Sequence, residues 1–325
     1  MKFQTKALYN LLRLNYMSDP TISCESWQVE DMRKASTEDL YHRLEILGIE
    51  LTKESLWQLS EGCDTPEELT DALLEGTHNA KIDDQCYLLI FELWRRFLPE
   101  KQSLSIFCDE LDLRIFRYEH NELQSDEEIQ DALANLEDIL DENVDMGVEP
   151  SETFARLSEY LAHDLEGFLY DYIAEQVDAD NYLYAQELLE EFYPFMTELV
   201  WFDFIRLRLL SLNDIAASNE LAEKIIKELK KSPNLDLQLE ILRFMAETGD
   251  RSLFLQLVKN TLKILKKEED FLDLLEVIAD FYRRLDQEDV EKAIQTIMNR
   301  RQAKQPLEKI NLKDPDIKKL KLVLH

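Results

Sequence analysis

The chain has 325 residues, 45% of them apolar and 32% charged, and its 68 Asp plus Glu against 37 Lys plus Arg give a formal net charge of −31. These are the proportions of a soluble globular protein. Only six glycines and eight prolines punctuate it, which excludes collagen-like, linker-like and disulfide-knot architectures and leaves too few turn residues for a β-sandwich.

A chain of this length predicts two or three folding units. The first 18 residues hold Lys2, Lys6 and Arg13 and no acid. Gln4, Lys6, Asn10 and Arg13 interrupt the stretch too often for a secretory signal. Phe3, Ala7, Leu11 and Leu14 instead follow one side of a basic amphipathic helix. The first helix of the fold is expected here; a transit or effector-export signal is the alternative. Further helices are predicted near 36–48, 52–62, 65–75, 81–98 and 103–119, with breaks at Gly76–Asn79 and after Pro99. Thr65-Pro66-Glu67-Glu68 combines an N-cap, a proline at the first helical position and a glutamate that reaches back. Ser125 to Glu128 repeats that logic, and Pro150 opens another helix. Residues 1–120 are expected to form an irregular helical bundle anchored by Trp27, Trp57 and Trp94. Cys24, Cys63, Cys86 and Cys108 show no C-x-x-C and no histidine at ligand spacing, which predicts reduced thiols in a cytoplasmic protein rather than a zinc site.

Between Tyr118 and Ile205, 25 carboxylates face a single base, Arg156. That field repels polyphosphate, so nucleic acid and anionic membrane are poor partners for the middle of the chain. It attracts a basic protein or basic helical segment, a divalent cation, or the chain's own basic end; the same carboxylates also serve as a solvated coat. No apolar run approaches the roughly 18–20 residues that span a bilayer. Within this region Asp141, Asn143, Asp145, Glu149 and Glu152 stand first, third, fifth, ninth and twelfth, with Val148 eighth. The segment resembles an EF-hand calcium loop, and the resemblance implies Ca2+ bound by those five residues. Met146 occupies the sixth place, where that loop has glycine, and Gly147 comes one later. An acidic interhelix loop is the other reading.

Asp178, Asp214, Asp250 and Asp286 are spaced by 36 residues. Nine residues before each stand Leu169, Ile205, Ile241 and Val277, and five before stand Ile173, Leu209, Met245 and Phe281. Eleven after stand Leu189, Ile225, Thr261 and Ile297. Each unit reads as a helical hairpin whose second helix is N-capped by the aspartate. One hairpin cannot bury its own stripe, so successive hairpins are expected to stack. The layout resembles the tetratricopeptide-like α-solenoid family over about residues 160–300. Trp201, Ile205 and Leu209 match its first helix, Pro194 its closing proline, and Lys231-Ser232-Pro233-Asn234 its second-helix exit. Tyr170, Arg206, Leu242 and Ile278 stand where that family has a small residue. Tyr182, Ser218, Phe254 and Val290 stand where it has alanine, and the units exceed its usual length of about 34 residues. The resemblance implies architecture, not a borrowed peptide groove.

From 299 onward, eight bases face Glu308, Asp314 and Asp316. Leu307, Ile310, Leu312, Ile317, Leu320, Leu322 and Leu324 alternate with the lysines, which predicts a tail over 301–325 that caps the last hairpin; docking on the acidic middle or on a partner is the alternative. No phosphate loop, H-E-x-x-H or G-x-S-x-G is present. His163-Asp164 matches the dipeptide of HD phosphohydrolases, which makes a metal-dependent hydrolase using these residues and nearby acids an alternative, but His42, His78, His120 and His325 are scattered without that family's pattern. The sequence therefore predicts an all-α protein in three parts, 1–120, 121–300 and 301–325. Its expected role is a non-enzymatic scaffold with an acidic surface for a basic partner, anchored by Tyr182, Tyr184, Trp201 and Phe202.

Overall fold

A computed structural model describes residues 3–74 and 79–323. Lys2, the Gly76–His78 break, Leu324 and His325 lie outside the described residues. The chain is all-α: eighteen α-helices and two short 3-10 turns, and no strand, occur among the described residues. No helix among them is long and apolar enough to cross a membrane.

Residues up to Leu169 form one compact unit and those from Tyr170 onward a second. The first holds α1 (Thr5–Ser18), α2 (Ser26–Val29), α3 (Thr37–Ile46), α4 (Lys53–Ser60), α5 (Pro66–Leu73), α6 (Ala80–Phe97), α7 (Leu104–Glu119), α8 (Glu127–Asp145) and α9 (Pro150–Ser158). The division falls inside α10 (Leu165–Asp178), whereas the irregular N-terminal bundle expected from the sequence ends at residue 120. The reason is packing: α8 buries Ile129, Leu133, Leu136 and Leu140 and lies against both α7 and α9. The centre of this unit is α6, buried from Cys86 through Trp94, with α3 and α5 against it. Trp94 is fully buried and its indole N–H donates to the Lys101 carbonyl at 2.9 Å. Trp57, read as a core anchor, is instead 46% exposed.

The second unit continues with α11 (Tyr182–Phe192), α12 (Leu199–Ser211), α13 (Ile215–Lys231), α14 (Leu235–Thr248), α15 (Arg251–Thr261), α16 (Glu268–Arg284), α17 (Glu288–Arg301) and α18 (Pro315–Val323). Helix α12 packs on α13, α14 on α15 and α16 on α17; α12–α14, α14–α16 and α13–α15 contacts join successive pairs. The apolar columns of the 36-residue spacing face inward. Ile205, Ile241 and Val277 are buried, as are Leu189, Ile225 and Ile297. Thr261 keeps its place in the second column because its hydroxyl donates within the core, lying 2.8 Å from Gln238 Oε1 and 3.0 Å from the Leu257 carbonyl.

The aspartates divide into two classes. Asp214 accepts from Ala217 N at 2.9 Å, and Asp250 accepts from Ser252 N and Leu253 N at 2.8 and 3.0 Å. Both are N-caps, as the spacing predicts. Asp178 and Asp286 are not. Asp178 is the last residue of α10 and pairs with Arg208. Asp286 sits at φ 55° just past α16, donating its N–H to Arg283 O at 3.0 Å while Gln287 N–H donates to Tyr282 O at 3.0 Å. That is a Schellman stop, in which a left-handed residue closes the helix. Asn121, Asp180 and Gly147 end α7, α10 and α8 in the same way. Asn and Asp tolerate this conformation better than other side chains, which lets a chain with six glycines end so many helices. Accordingly, Asp214→Ala and Asp250→Ala should each lose about 1 kcal/mol of stability. Asp286→Gly should be neutral or stabilising, since glycine enters that region without a Cβ penalty. Urea titration of the three variants distinguishes the two roles; equal losses at all three would contradict the division.

Beyond α17 the chain turns back over the last pair. Glu268 N donates to Glu308 O at 2.9 Å, Glu269 N to Pro306 O at 3.0 Å and Ile310 N to Lys266 O at 3.0 Å. The first two bonds satisfy N–H groups at the start of α16 that have no partner within the helix; in the third, Ile310 is the donor. Ile310, Ile317 and Leu320 enter the same core as α16 and α17. Arg301, counted in the sequence as part of a basic tail, is 1% exposed. Its guanidinium meets Glu268, Asp314 and Asp316.

Candidate interaction surface

A hairpin turn leaves few positions for side chains to hide, so apolar residues there are either pinned by a neighbour or left in water. In the second unit Phe195, Met196, Leu262 and Leu265 are pinned and buried, whereas those at three hairpin turns are left in water. Leu183 is 81% exposed just after the α10–α11 turn, Leu212 and Ile215 are 47% and 69% exposed around the α12–α13 turn, and Leu285 is 42% exposed at the α16–α17 turn. Each stands beside carboxylates: Asp178 and Asp180, then Asp214, then Asp286. Arg208 of α12 pairs with Asp178 of α10, which joins the α10–α11 and α12–α13 turns, and Arg284 of α16 reaches Glu247 of α14 at 2.7 Å, which joins those of α14–α15 and α16–α17; α12 packs on α14 between the two couples. This turn edge therefore mixes aliphatic groups and carboxylates, with Arg208 and Arg284 paired to two of the latter. From it the outward face of α11 continues with Gln186, Glu187 and Glu190, all exposed.

The aromatic residues singled out in the sequence lie close by, but only in part as expected. Phe202 is buried, 1% exposed, and is a core residue rather than an anchor. Helix α12 buries it because neighbouring helices cover more than one of its faces, so Phe204, Ile205 and Leu207 are buried as well. Trp201 is half-buried edge-on to Tyr170, ring centres 4.9 Å apart, and the Tyr170 hydroxyl donates to Glu240 at 2.8 Å. Burial, then that carboxylate, push the Tyr170 phenol far above its ordinary pKa. Tyr184 is half-buried edge-on to Tyr172. Tyr182 is half-buried at the turn edge, its hydroxyl donating to Asp180. Of the four, Tyr182 alone belongs to the edge. The stronger apolar groups, Leu183, Leu212, Ile215 and Leu285, were legible as aliphatics at the turns, off the buried stripe.

The calcium-loop expectation is corrected. Asp141, Asn143 and Asp145 form the end of α8 instead of a loop. At about 100° per residue, Asn143 points away from Asp141 and Asp145, and its amide donates to the Ile139 carbonyl at 2.8 Å. Gly147, at φ 91°, supplies the Schellman stop of α8 and not the bend of a metal loop. Glu149 precedes α9 as its N-cap residue, and Glu152 pairs with Arg156. No group of three or more His, Cys, Asp or Glu side chains suited to a metal ion occurs among the described residues.

The His163-Asp164 dipeptide is split by its surroundings. The His163 ring Nδ1 lies 2.8 Å from Asp112, which also accepts from the backbone N–H groups of Ala162 and His163. Asp164 turns instead to Gly167 N, at 3.3 Å, at the start of α10. Asp112 belongs to a buried polar network within the first unit. Its neighbour Asp109 meets Lys6 at 3.1 Å and Arg33, and Asn10 donates to Asp109 at 2.9 Å and to Asp112 at 3.3 Å. Burial opposes the Asp109 charge, but Lys6, Arg33 and Asn10 outweigh it and hold its carboxyl below the ordinary value. Cys63, Cys86 and Cys108 are buried and Cys24 partly so, all as free thiols. Burial pushes the Cys86 thiol up to about 11, which makes it a poor nucleophile at neutral pH.

No family model matches the chain, and neither a curated protein nor a solved structure matches it.

Proposed function

We propose that this chain is a non-enzymatic interaction scaffold built of tetratricopeptide-like helical hairpins, whose turn edge takes a basic helical segment of a partner. The observation that carries the reading is the edge itself, where Leu183, Leu212, Ile215 and Leu285 are exposed beside Asp178, Asp180, Asp214 and Asp286. Carboxylates steer a cationic partner at distance and set its orientation. Aliphatic groups then supply the anchoring, roughly 1.5–3 kcal/mol for each Leu or Ile side chain that passes from water into full contact. A partner helix with lysines or arginines flanking an i, i+3, i+4 apolar stripe meets both demands.

The test uses a labelled synthetic Lys/Leu amphipathic peptide and the fluorescence anisotropy of its complex. Leu183→Ser with Ile215→Ser should weaken binding by roughly ten-fold or more. Folding should be unaffected, since exposed substitutions shift stability by only about 0.5 kcal/mol. Affinity should also fall as salt rises. Binding that ignores both the substitutions and the ionic strength would remove this edge as the docking site.

A further inference from the structure

We propose that the basic segment taken by this edge is the outward face of α18 on a second copy of the same chain, so that copies join head to tail. The inference rests on the docking role just assigned to the turn edge and names its occupant.

The basic end is not uniformly available. Arg301 and Lys304 are committed to Glu268, Asp314 and Asp316, and Arg300 lies 2.6 Å from Asp316. Those contacts consume two of the three acids counted beyond residue 299. What faces water is strongly cationic: Lys309, Lys313, Lys318, Lys319 and Lys321 are exposed, and Glu308 is the one exposed acid among described residues beyond 301. On α18 the positions Pro315, Lys318, Lys319 and Leu322 recur at helical spacing and are all exposed, while Ile317 and Leu320 face the core. Leu322 is 76% exposed. An aliphatic group flanked by lysines is the chemical complement of an aliphatic group flanked by aspartates.

Two further points favour a second copy. The Arg301 contacts hold α18 in place, so its outer stripe is presented as a formed helix face and little ordering is lost on docking. Helix α17 begins at the turn edge and ends at Arg301, where the basic segment departs, about 21 Å along the axis. Edge and stripe are thus different patches of one molecule. Contact between them is heterologous, which adds copies into a ring or an open chain. The net charge of −31 opposes association at low salt, but beyond about 8 Å it is largely screened at physiological ionic strength, leaving the local match to decide.

Sedimentation velocity on the full 325-residue chain, from micromolar to near-millimolar concentration, tests this. The wild-type mass should rise above 38.4 kDa with concentration. Lys318→Glu/Lys319→Glu/Lys321→Glu, and separately Leu183→Ser/Ile215→Ser, should each weaken self-association at least tenfold. Mixing the two variants should restore dimers and nothing larger, because each retains the half the other lacks. A wild type that stays monomeric, or association that neither variant disturbs, overturns the proposal. If that monomer still binds the Lys/Leu peptide at the edge, the docking reading survives and its occupant alone is wrong. If it floats with phosphatidylserine vesicles through Lys318, Lys319 and Lys321, the stripe serves a lipid surface and the proposal is again overturned.

Discussion

Arg301→Ala is expected to destabilise the second unit by about 3–5 kcal/mol, the loss typical of breaking a buried ion pair by removing one partner. The guanidinium and the Glu268 carboxylate are each 1% exposed, and Nη1 donates to both Glu268 oxygens at 2.7 and 2.8 Å. Nε donates to Asp316 at 3.2 Å, Nη2 meets Asp314, and the group lies 5.1 Å from the Phe271 ring centre. Alanine would leave Glu268 buried with Lys304 as its one remaining cation and would cut the attachment that seats Ile317 and Leu320. Lysine at 301 should recover only part of the loss, since one ammonium cannot present a fork to three carboxylates. Burial opposes the Asp314 charge, yet the Asp316 backbone N–H, Arg301 and Lys304 hold its carboxyl below the ordinary value. Its contribution is therefore complete above the unfolded-state value near 4 and disappears as pH falls through the folded one. Urea unfolding followed by Trp201, the one tryptophan in this unit, reads the effect. A loss under about 1 kcal/mol would place the cluster with ordinary surface pairs.

Asp109→Ala should have a comparable effect on the first unit, again about 3–5 kcal/mol. The side chain is 2% exposed and is the shared counter-charge of Lys6 and Arg33, from α1 and from the 3-10 turn Met32–Lys34. Without it two cations are left converging on one desolvated place. Because the folded carboxyl is held below its unfolded value, the stabilisation is present above about pH 4 and is lost on acidification. The difference between wild type and Asp109→Ala should therefore be full at neutral pH and shrink toward pH 3. Thermal unfolding at both pH values checks it, and a gap that widens in acid would contradict the assigned sign.

Helices were legible because their signals are local. The six helices expected before residue 120 agree with α1 and α3 to α7 within three residues at each end. Thr65 caps α5 by accepting from Glu68 N at 3.2 Å, and the Glu68 carboxylate accepts from Asp64 N at 2.7 Å. The buried columns were legible because 36 residues return the chain to an equivalent place. The two roles of aspartate were not, since an Asp that caps a following helix and one that closes a preceding helix occupy the same turn. The calcium loop misled for a related reason: alternate acids match a metal loop by count, whereas a helix spreads them around its axis. Asp109 carried no local signal among 68 acids, because Lys6 and Arg33 are brought to it by tertiary packing. The exposed aliphatics at the turns were visible as letters but not as a surface, which exists only once the hairpins stand side by side.

The clasps along that edge, Asp178 with Arg208 and Glu247 with Arg284, each keep at least one partner in water. Exposed pairs of this kind hold about 0.2–1 kcal/mol and weaken as salt rises. Ile205, Ile241, Ile225 and Ile297, buried behind them, hold through apolar contact that salt does not screen. The unit thus joins its turns by ion pairs that salt weakens and its interior by apolar contact that salt leaves intact.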